Sequence, residues 1–242
     1  MSYALTNTSG WPMGYRFVGL IQIILTIILF LSLPLWKGGA SSQETAAETK
    51  PLTIPEILNI PGAKAVFITF FCYCALESTA GLWASSFLVL HKGMDEETAA
   101  SFASMFYLGI TLGRFINGFL TMKLEDHTLI RLGQGIIFMG IIVVLLPLEP
   151  YITVAGLVLI GLGCAPIYPC IIHSTPSTFG EDKSQAMIGV QMASAYLGSC
   201  LMPPLFGLIA NHISVSLFPG YLFIINTLMF IMHQRLCKIT ST

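Results

Sequence analysis

Hydrophobic and polar positions alternate along this chain in long blocks. Apolar stretches cover residues 15–35, 65–90, 98–122, 128–148, 152–173, 185–210 and 214–232. Crossing a bilayer takes about 20 mostly apolar residues as a helix, so each stretch predicts one transmembrane helix. The fourth and fifth meet at Pro147 to Tyr151, which predicts a tight turn. The expected fold class is all-α: a polytopic membrane helical bundle of about seven transmembrane helices.

Composition points to the same solvent. Hydrophobic residues make up 55 % of the 242, and charged residues only 10 %. Mean hydropathy is +0.79. A soluble domain carries about a quarter charged residues, so lipid rather than water is the expected surroundings. The eleven basic residues form no dense cluster, which gives no footprint for nucleic acid. Cys72, Cys74, Cys164, Cys170 and Cys200 lie in apolar stretches and read as small packing residues. No CxxC pair or Cys/His metal spacing is apparent, so neither a disulfide framework nor a metal site is expected. Residues 1–14 are polar and the apolar run after them is too long for a signal core.

The loops set an orientation. With residues 36–64 in the cytoplasm, Lys37, Lys50, Lys64, Lys123, Arg131, Lys183, Arg235 and Lys238 all fall on that side. Only Arg16 and Lys92 fall outside, and Arg114 lies within a span. The excess of cytoplasmic positive charge predicts an outside N-terminus and a cytoplasmic C-terminus. The expected organisation is an N-terminal segment and lone span (1–36), a cytoplasmic linker (37–64), a six-helix half (65–235) and a short tail (236–242). The linker is Ser/Ala/Glu/Thr-rich and then Pro-rich, with a short interfacial helix expected near Ile54 to Ile60. One span before a linker and six more suggests a chain whose first half is missing.

Particular residues then resemble a family. The third span ends Leu112-Gly113-Arg114-Phe115-Ile116-Asn117-Gly118-Phe119, with Lys123 beyond. This resembles the Gly-Arg signature at the cytoplasmic end of the eighth helix of major facilitator superfamily transporters. The fifth span carries Gly161-Leu162-Gly163-Cys164-Ala165-Pro166-Ile167-Tyr168-Pro169, which looks like the tenth helix of fucose-permease-like members. Glu77-Ser78-Thr79-Ala80-Gly81-Leu82-Trp83 resembles their seventh helix. The loop Leu124-Glu125-Asp126-His127 departs from the family's fuller loop motif. The resemblance implies the C-terminal part of a transporter whose two halves flank a central solute path.

Glu77 is the sharpest single feature. It sits near the centre of the second span, about 18 Å from each end at 1.5 Å per residue. A carboxylate at that depth costs at least about 2.5 kcal/mol to insert. It reads as a solute-binding or proton-coupling group, or as a structural hydrogen-bonding partner between helices. Tyr73 is one turn back on the same face, whereas Trp83 falls on another. Tyr168, Gln191 and Asn226 are further candidates for solute binding, each alternatively an interhelical hydrogen bond. Gly109, Gly113, Arg114, Gly118, Pro166 and Pro169 are gating or structural candidates. Pro203 and Pro204 are expected to interrupt the sixth span. His173 reads as a solvated interfacial residue or a proton relay.

There is no phosphate-binding glycine loop, nucleophile elbow or HExxH pattern, and no cofactor is expected. The expected function is secondary transport of a small solute, a sugar with proton coupling being the form the resemblance suggests. The expected partners are the lipid bilayer, the solute, and a missing N-terminal half or a second copy. The competing expectation is a membrane remnant or scaffold that transports nothing.

Overall fold

The computed structural model describes residues 12–34, 52–147 and 149–240. Among them every regular element is helical. The chain divides into two units, Met1–Lys50 and Pro51–Thr242. The first holds helix α1, Pro12–Ser32. Its residues from Val18 to Phe30 are apolar on every side apart from Gly19, Gln22 and Thr26. A helix that is hydrophobic all round suits a lipid-facing span. The polar start of the chain and most of the expected linker lie outside the described residues.

The second unit contains α2 (Ile54–Leu58), α3 (Ala63–Leu90), α4 (Glu96–Ala103), α5 (Met105–Leu120) and α6 (Asp126–Leu145). It continues with α7 (Pro150–Cys164), α8 (Ile167–Phe179), α9 (Glu181–His212), a 3-10 turn at Val215–Leu217 and α10 (Phe218–Thr240). Together with α1, seven segments are long and apolar enough to cross a membrane, as the pattern predicts. Two of these segments are composite. The third is α4 and α5, joined through Ser104, and the fifth is α7 and α8, joined through Ala165 and Pro166.

Local chemistry sets several starts and stops. The Thr53 amide donates to the Glu56 carboxylate at 2.8 Å and opens α2. That bond holds the Glu56 carboxyl below its ordinary range. Gly62, at φ +85°, turns the chain into α3 in a conformation that side chains rarely adopt. Leu236 and Phe179 press on the same glycine. The amide of Thr98 donates to Asp95 at 2.9 Å, capping α4. Pro150 opens α7, where its missing N–H costs nothing.

The packing is dominated by α3 against α9 and α10, by α7 against α5 and α6, and by α6 against α10. Glycines make the α7 contacts possible. A Cβ at Gly109 would run into the Val158 carbonyl, and one at Gly161 into the Phe106 carbonyl. Gly133 and Gly140 on α6 approach the Gly163 and Gly156 carbonyls in the same way. In lipid such small-residue seams replace the hydrophobic drive for helix association.

Two expectations need correction. Pro203 and Pro204 do not interrupt their span: α9 runs unbroken from Glu181 to His212 with both inside it. Neighbouring helices support such a helix, and here the Trp83 indole N–H donates to the Pro203 carbonyl at 3.1 Å. The fifth and seventh spans also continue beyond 173 and 232, to Phe179 and Thr240. Their last turns carry polar residues that end the apolar pattern before they end the helix.

Candidate functional site

Four of the predicted residues gather around one part of the bundle. Tyr73 on α3 is completely buried, and its ring lies 6.2 Å from that of Tyr168 at the start of α8. Phe70, one turn back on α3, packs 5.0 Å from Tyr168. Pro169 sits in the first turn of α8, where the backbone N–H has no helical partner to lose. Tyr168, two residues after the Pro166 break between α7 and α8, packs against α3, and Pro169 beside it gives up no helical hydrogen bond. The Tyr168 hydroxyl donates to the Met192 sulfur at 3.2 Å, which ties it to α9.

Glu77 is half-buried near the middle of α3. Its carboxylate acts electrostatically on Tyr73, Cys164 and Tyr168, which come from three helices. No residue among those described forms an ion pair with it, the two ion pairs being His173–Asp126 and Lys183–Asp182. The Tyr73 hydroxyl is also left without a hydrogen bond of ordinary geometry, although Glu77 is one turn away. An unpaired buried hydroxyl costs about 1–3 kcal/mol. The site thus holds a carboxylate with no ion-pair partner among the described residues and, one turn away, a buried phenol without a hydrogen bond of ordinary geometry.

Arg114 supplies the opposite charge. Its electrostatic influence reaches Cys164 and Tyr168, the same two residues on which Glu77 acts. Arg114, Asn117, Gly118 and Thr121 share one face of α5 and line a cavity of about 500 Å³ with Tyr168 and Pro169. Asn117 is buried with its carbonyl oxygen unpaired. Gly118 forms open wall, since a Cβ there would meet nothing within 4 Å. Gly109 and Gly113 lie on the adjoining face of α5, against α7, on a buried stripe that Asn117 continues one turn on.

The remaining candidates are committed elsewhere. Trp83 bonds Pro203, stacks edge-on against Phe206 at 5.2 Å, and holds α3 to α9. Gln191 is fully buried and exchanges hydrogen bonds with Thr175 at 3.0 and 3.2 Å, joining α9 to α8. Asn226 donates to the Gln134 carbonyl at 3.2 Å and joins α10 to α6. His173 is bonded to Asp126 at 2.7 Å, linking α8 to the start of α6, while its own side chain is 83 % exposed. The sequence reading missed Thr175 and Asn117, because neither stands out until its helix partner is known.

The family model of the Major Facilitator Superfamily matches residues 1–203. The chain belongs to that family, and so to a family of membrane transporters rather than enzymes. Among relatives, it is 22 % identical over 174 residues to Bypass of stop codon protein 6 of Saccharomyces cerevisiae, covering 68 % of this chain and 35 % of that one. It is 23 % identical over 211 residues to the human Sodium-dependent glucose transporter 1, covering 86 % and 39 %. The fold matches the transporter FucP in its outward conformation with a TM-score of 0.67 at 15 % identity, over 78 % of this chain and 46 % of that one. It also matches the peptide transporter POT bound to alafosfalin with a TM-score of 0.64 at 19 % identity, over 74 % and 39 %. The chain spans less than half the length of each of these proteins.

Proposed function

We propose that this chain forms the C-terminal half of a secondary transporter and moves a small polar solute by alternating access. The observation that carries the reading is the placement of Glu77, near the middle of its span, and of Arg114, in the wall of a cavity, where both act on Cys164 and Tyr168 and neither has an ion-pair partner among the described residues. Charged residues inside a bilayer cost several kcal/mol unless a cavity, partner or solute compensates them. Glu77 and Tyr73 offer hydrogen bonds to a hydroxyl-rich solute, and Tyr168 offers an aromatic face. A neutral sugar with proton coupling fits that chemistry best. The sugar is in keeping with the names of two relatives, the Sodium-dependent glucose transporter 1 and a fucose:proton symporter, and proton coupling with the second name alone.

The second half of the solute path would come from an N-terminal half or from a second copy of this chain. The end of the bundle that carries Lys64, Lys123, Arg131, Lys183, Arg235 and Lys238 faces the cytoplasm on the positive-inside rule. A non-transporting remnant remains the competing reading. Uptake of a radiolabelled sugar panel at two pH gradients, with and without a six-span N-terminal half, separates the two. Gradient-driven uptake that requires both halves and disappears in Glu77→Gln supports transport through this site. Absence of uptake for every sugar and for unrelated small solutes sinks it.

A further inference from the structure

At the basic end of the bundle, and apart from the residues that line the Arg114 cavity, three metal-ligating side chains converge. His233 and Cys237 lie one turn apart on α10, and His127 comes from the first turn of α6. His127 Nδ1 is 3.4 Å from His233 Nε2. Cys237 Sγ is 3.6 Å from His127 Nδ1 and 3.7 Å from His233 Nε2. We propose that His127, His233 and Cys237 form a binding site for a borderline transition-metal ion of the zinc type, with a fourth position left to water.

The distances carry the proposal. Tetrahedral zinc sits about 2.0–2.1 Å from imidazole nitrogen and about 2.3 Å from thiolate. Those lengths put two ligating nitrogens about 3.3 Å apart, and nitrogen and sulfur about 3.6 Å apart. All three separations found here match that triangle. The three atoms lie within hydrogen-bond reach of one another, and the same triangle has the side lengths of a tetrahedral coordination shell. Nitrogen and sulfur ligands in this ratio select zinc-like ions over magnesium or calcium.

Two features tune the site. His233 is fully buried, and its Nδ1 has no hydrogen-bond partner. Ligating imidazoles usually donate their second N–H to an acceptor, and losing that bond weakens metal affinity by about 10–100-fold. Arg131 lies close enough to act on His233 and opposes a cation, whereas a bound thiolate supplies compensating negative charge. The site is therefore weaker than a closed four-ligand structural centre. An ion there would clamp the start of α6 to the end of α10, and so fix the loop after α5, whose cavity-lining face ends at Thr121.

The expectation that no metal-binding spacing exists fails at this point. His233 and Cys237 are four residues apart on one helix face, which is ligand spacing. Their third partner is 106 positions away, beyond the reach of any local pattern.

The test uses the full chain without a polyhistidine tag, purified in detergent and titrated with Co²⁺ as the spectroscopic stand-in for Zn²⁺. The expected result is one equivalent bound, with tetrahedral visible bands and a thiolate charge-transfer band. Both are lost in Cys237→Ser and in His127→Gln, while His173→Gln keeps them. In membranes, with Cys200→Ser as background, Zn²⁺ should slow maleimide labelling of Cys237 about tenfold or more, because only the free thiolate reacts. That protection should vanish in His127→Gln, a variant whose changed side chain is only half-buried. Absence of the bands together with unprotected Cys237 overturns the proposal. So does Co²⁺ binding that survives both Cys237→Ser and His127→Gln.

Discussion

Two adjoining faces of α5, which meet where Asn117 follows Gly113 by one turn, solve opposite problems. One face, Gly109 and Gly113, lies so close to α7 that a Cβ at either position would meet the backbone of Val158 or Leu162. The other face, Arg114, Asn117, Gly118 and Thr121, opens onto the 500 Å³ cavity. The closed face spends no polar side chain, because backbone-to-backbone approach through glycine holds it together. The open face keeps an arginine and an unpaired amide oxygen at membrane depth. Close packing is held where side chains are absent, and polar groups stay unsatisfied on the face that carries the proposed solute chemistry.

The largest effect belongs to the closed face. Gly109→Val places branched carbons against the Val158 carbonyl, and Gly161→Val does the same at the Phe106 carbonyl. Backbone cannot yield as a flexible side chain can. Overpacking costs about 1–3 kcal/mol and more in rigid sites, so each variant is expected to lose at least about 3 kcal/mol. Thermal unfolding in detergent, read by a size-exclusion fluorescence assay, measures this. Wild-type stability in Gly109→Val would show that the seam is looser than the α5–α7 geometry implies.

At the open face the order of effects reverses. Glu77→Gln is expected to abolish solute uptake while leaving the melting temperature unchanged or raised, because removing a charge at membrane depth relieves its insertion cost. A Glu77→Gln protein that unfolds as readily as Gly109→Val would assign Glu77 to the scaffold instead. Tyr73→Phe removes a buried hydroxyl that makes no hydrogen bond. It should be neutral or stabilising by up to about 1 kcal/mol, while uptake of a hydroxyl-bearing solute weakens. Destabilisation in Tyr73→Phe would mean that the hydroxyl has a partner in the folded protein.

The sequence makes the spans legible because each carries its own apolar signal. It also makes Glu77, Tyr73 and Arg114 legible, since charge and depth are properties of one helix. Gln191 and Asn226 carry two readings from the sequence, solute binding or an interhelical hydrogen bond, and the structure shows the second, to Thr175 and to the Gln134 carbonyl, while Trp83 bonds the Pro203 carbonyl. Which face a polar side chain presents depends on the neighbouring helix, and that information is not local. Prolines show the same limit. Pro166 divides α7 from α8, whereas Pro203 and Pro204 sit inside an unbroken α9. Periodicity cannot distinguish these cases, because the difference lies in what supports the freed backbone.

A weaker change on the open face sharpens the contrast within one helix. Gly118→Ala meets no atom within 4 Å, unlike Gly113→Ala, whose methyl group would press on Ala165 and the Leu162 carbonyl. Alanine favours helix over glycine by about 1 kcal/mol. Gly118→Ala is therefore expected to be neutral to slightly stabilising, and Gly113→Ala destabilising, although the same atoms are added five residues apart. Equal melting temperatures for the two variants would erase the distinction between the faces.

The smallest expected effect concerns the opposite end of the α4–α5 span and protects the reading of any pH-dependent uptake. Asp95 caps α4 by accepting the Thr98 amide, and that bond holds its carboxyl below the usual value of 3.8. A depressed carboxylate pKa means that the cap's stabilisation is fully present above the unfolded value and fades only as pH falls through the lower folded value. The cap therefore stays intact throughout the mildly acidic range in which proton-coupled uptake would be assayed. Asp95→Asn keeps a good capping side chain and removes the titration. Its uptake profile between about pH 5 and 8 should overlay that of the parent chain, because the group that titrates at Asp95 does so below this window. A shifted profile in Asp95→Asn would move the proton-sensitive step from the cavity to the start of α4, and would break the assignment of chemistry to the open face of α5.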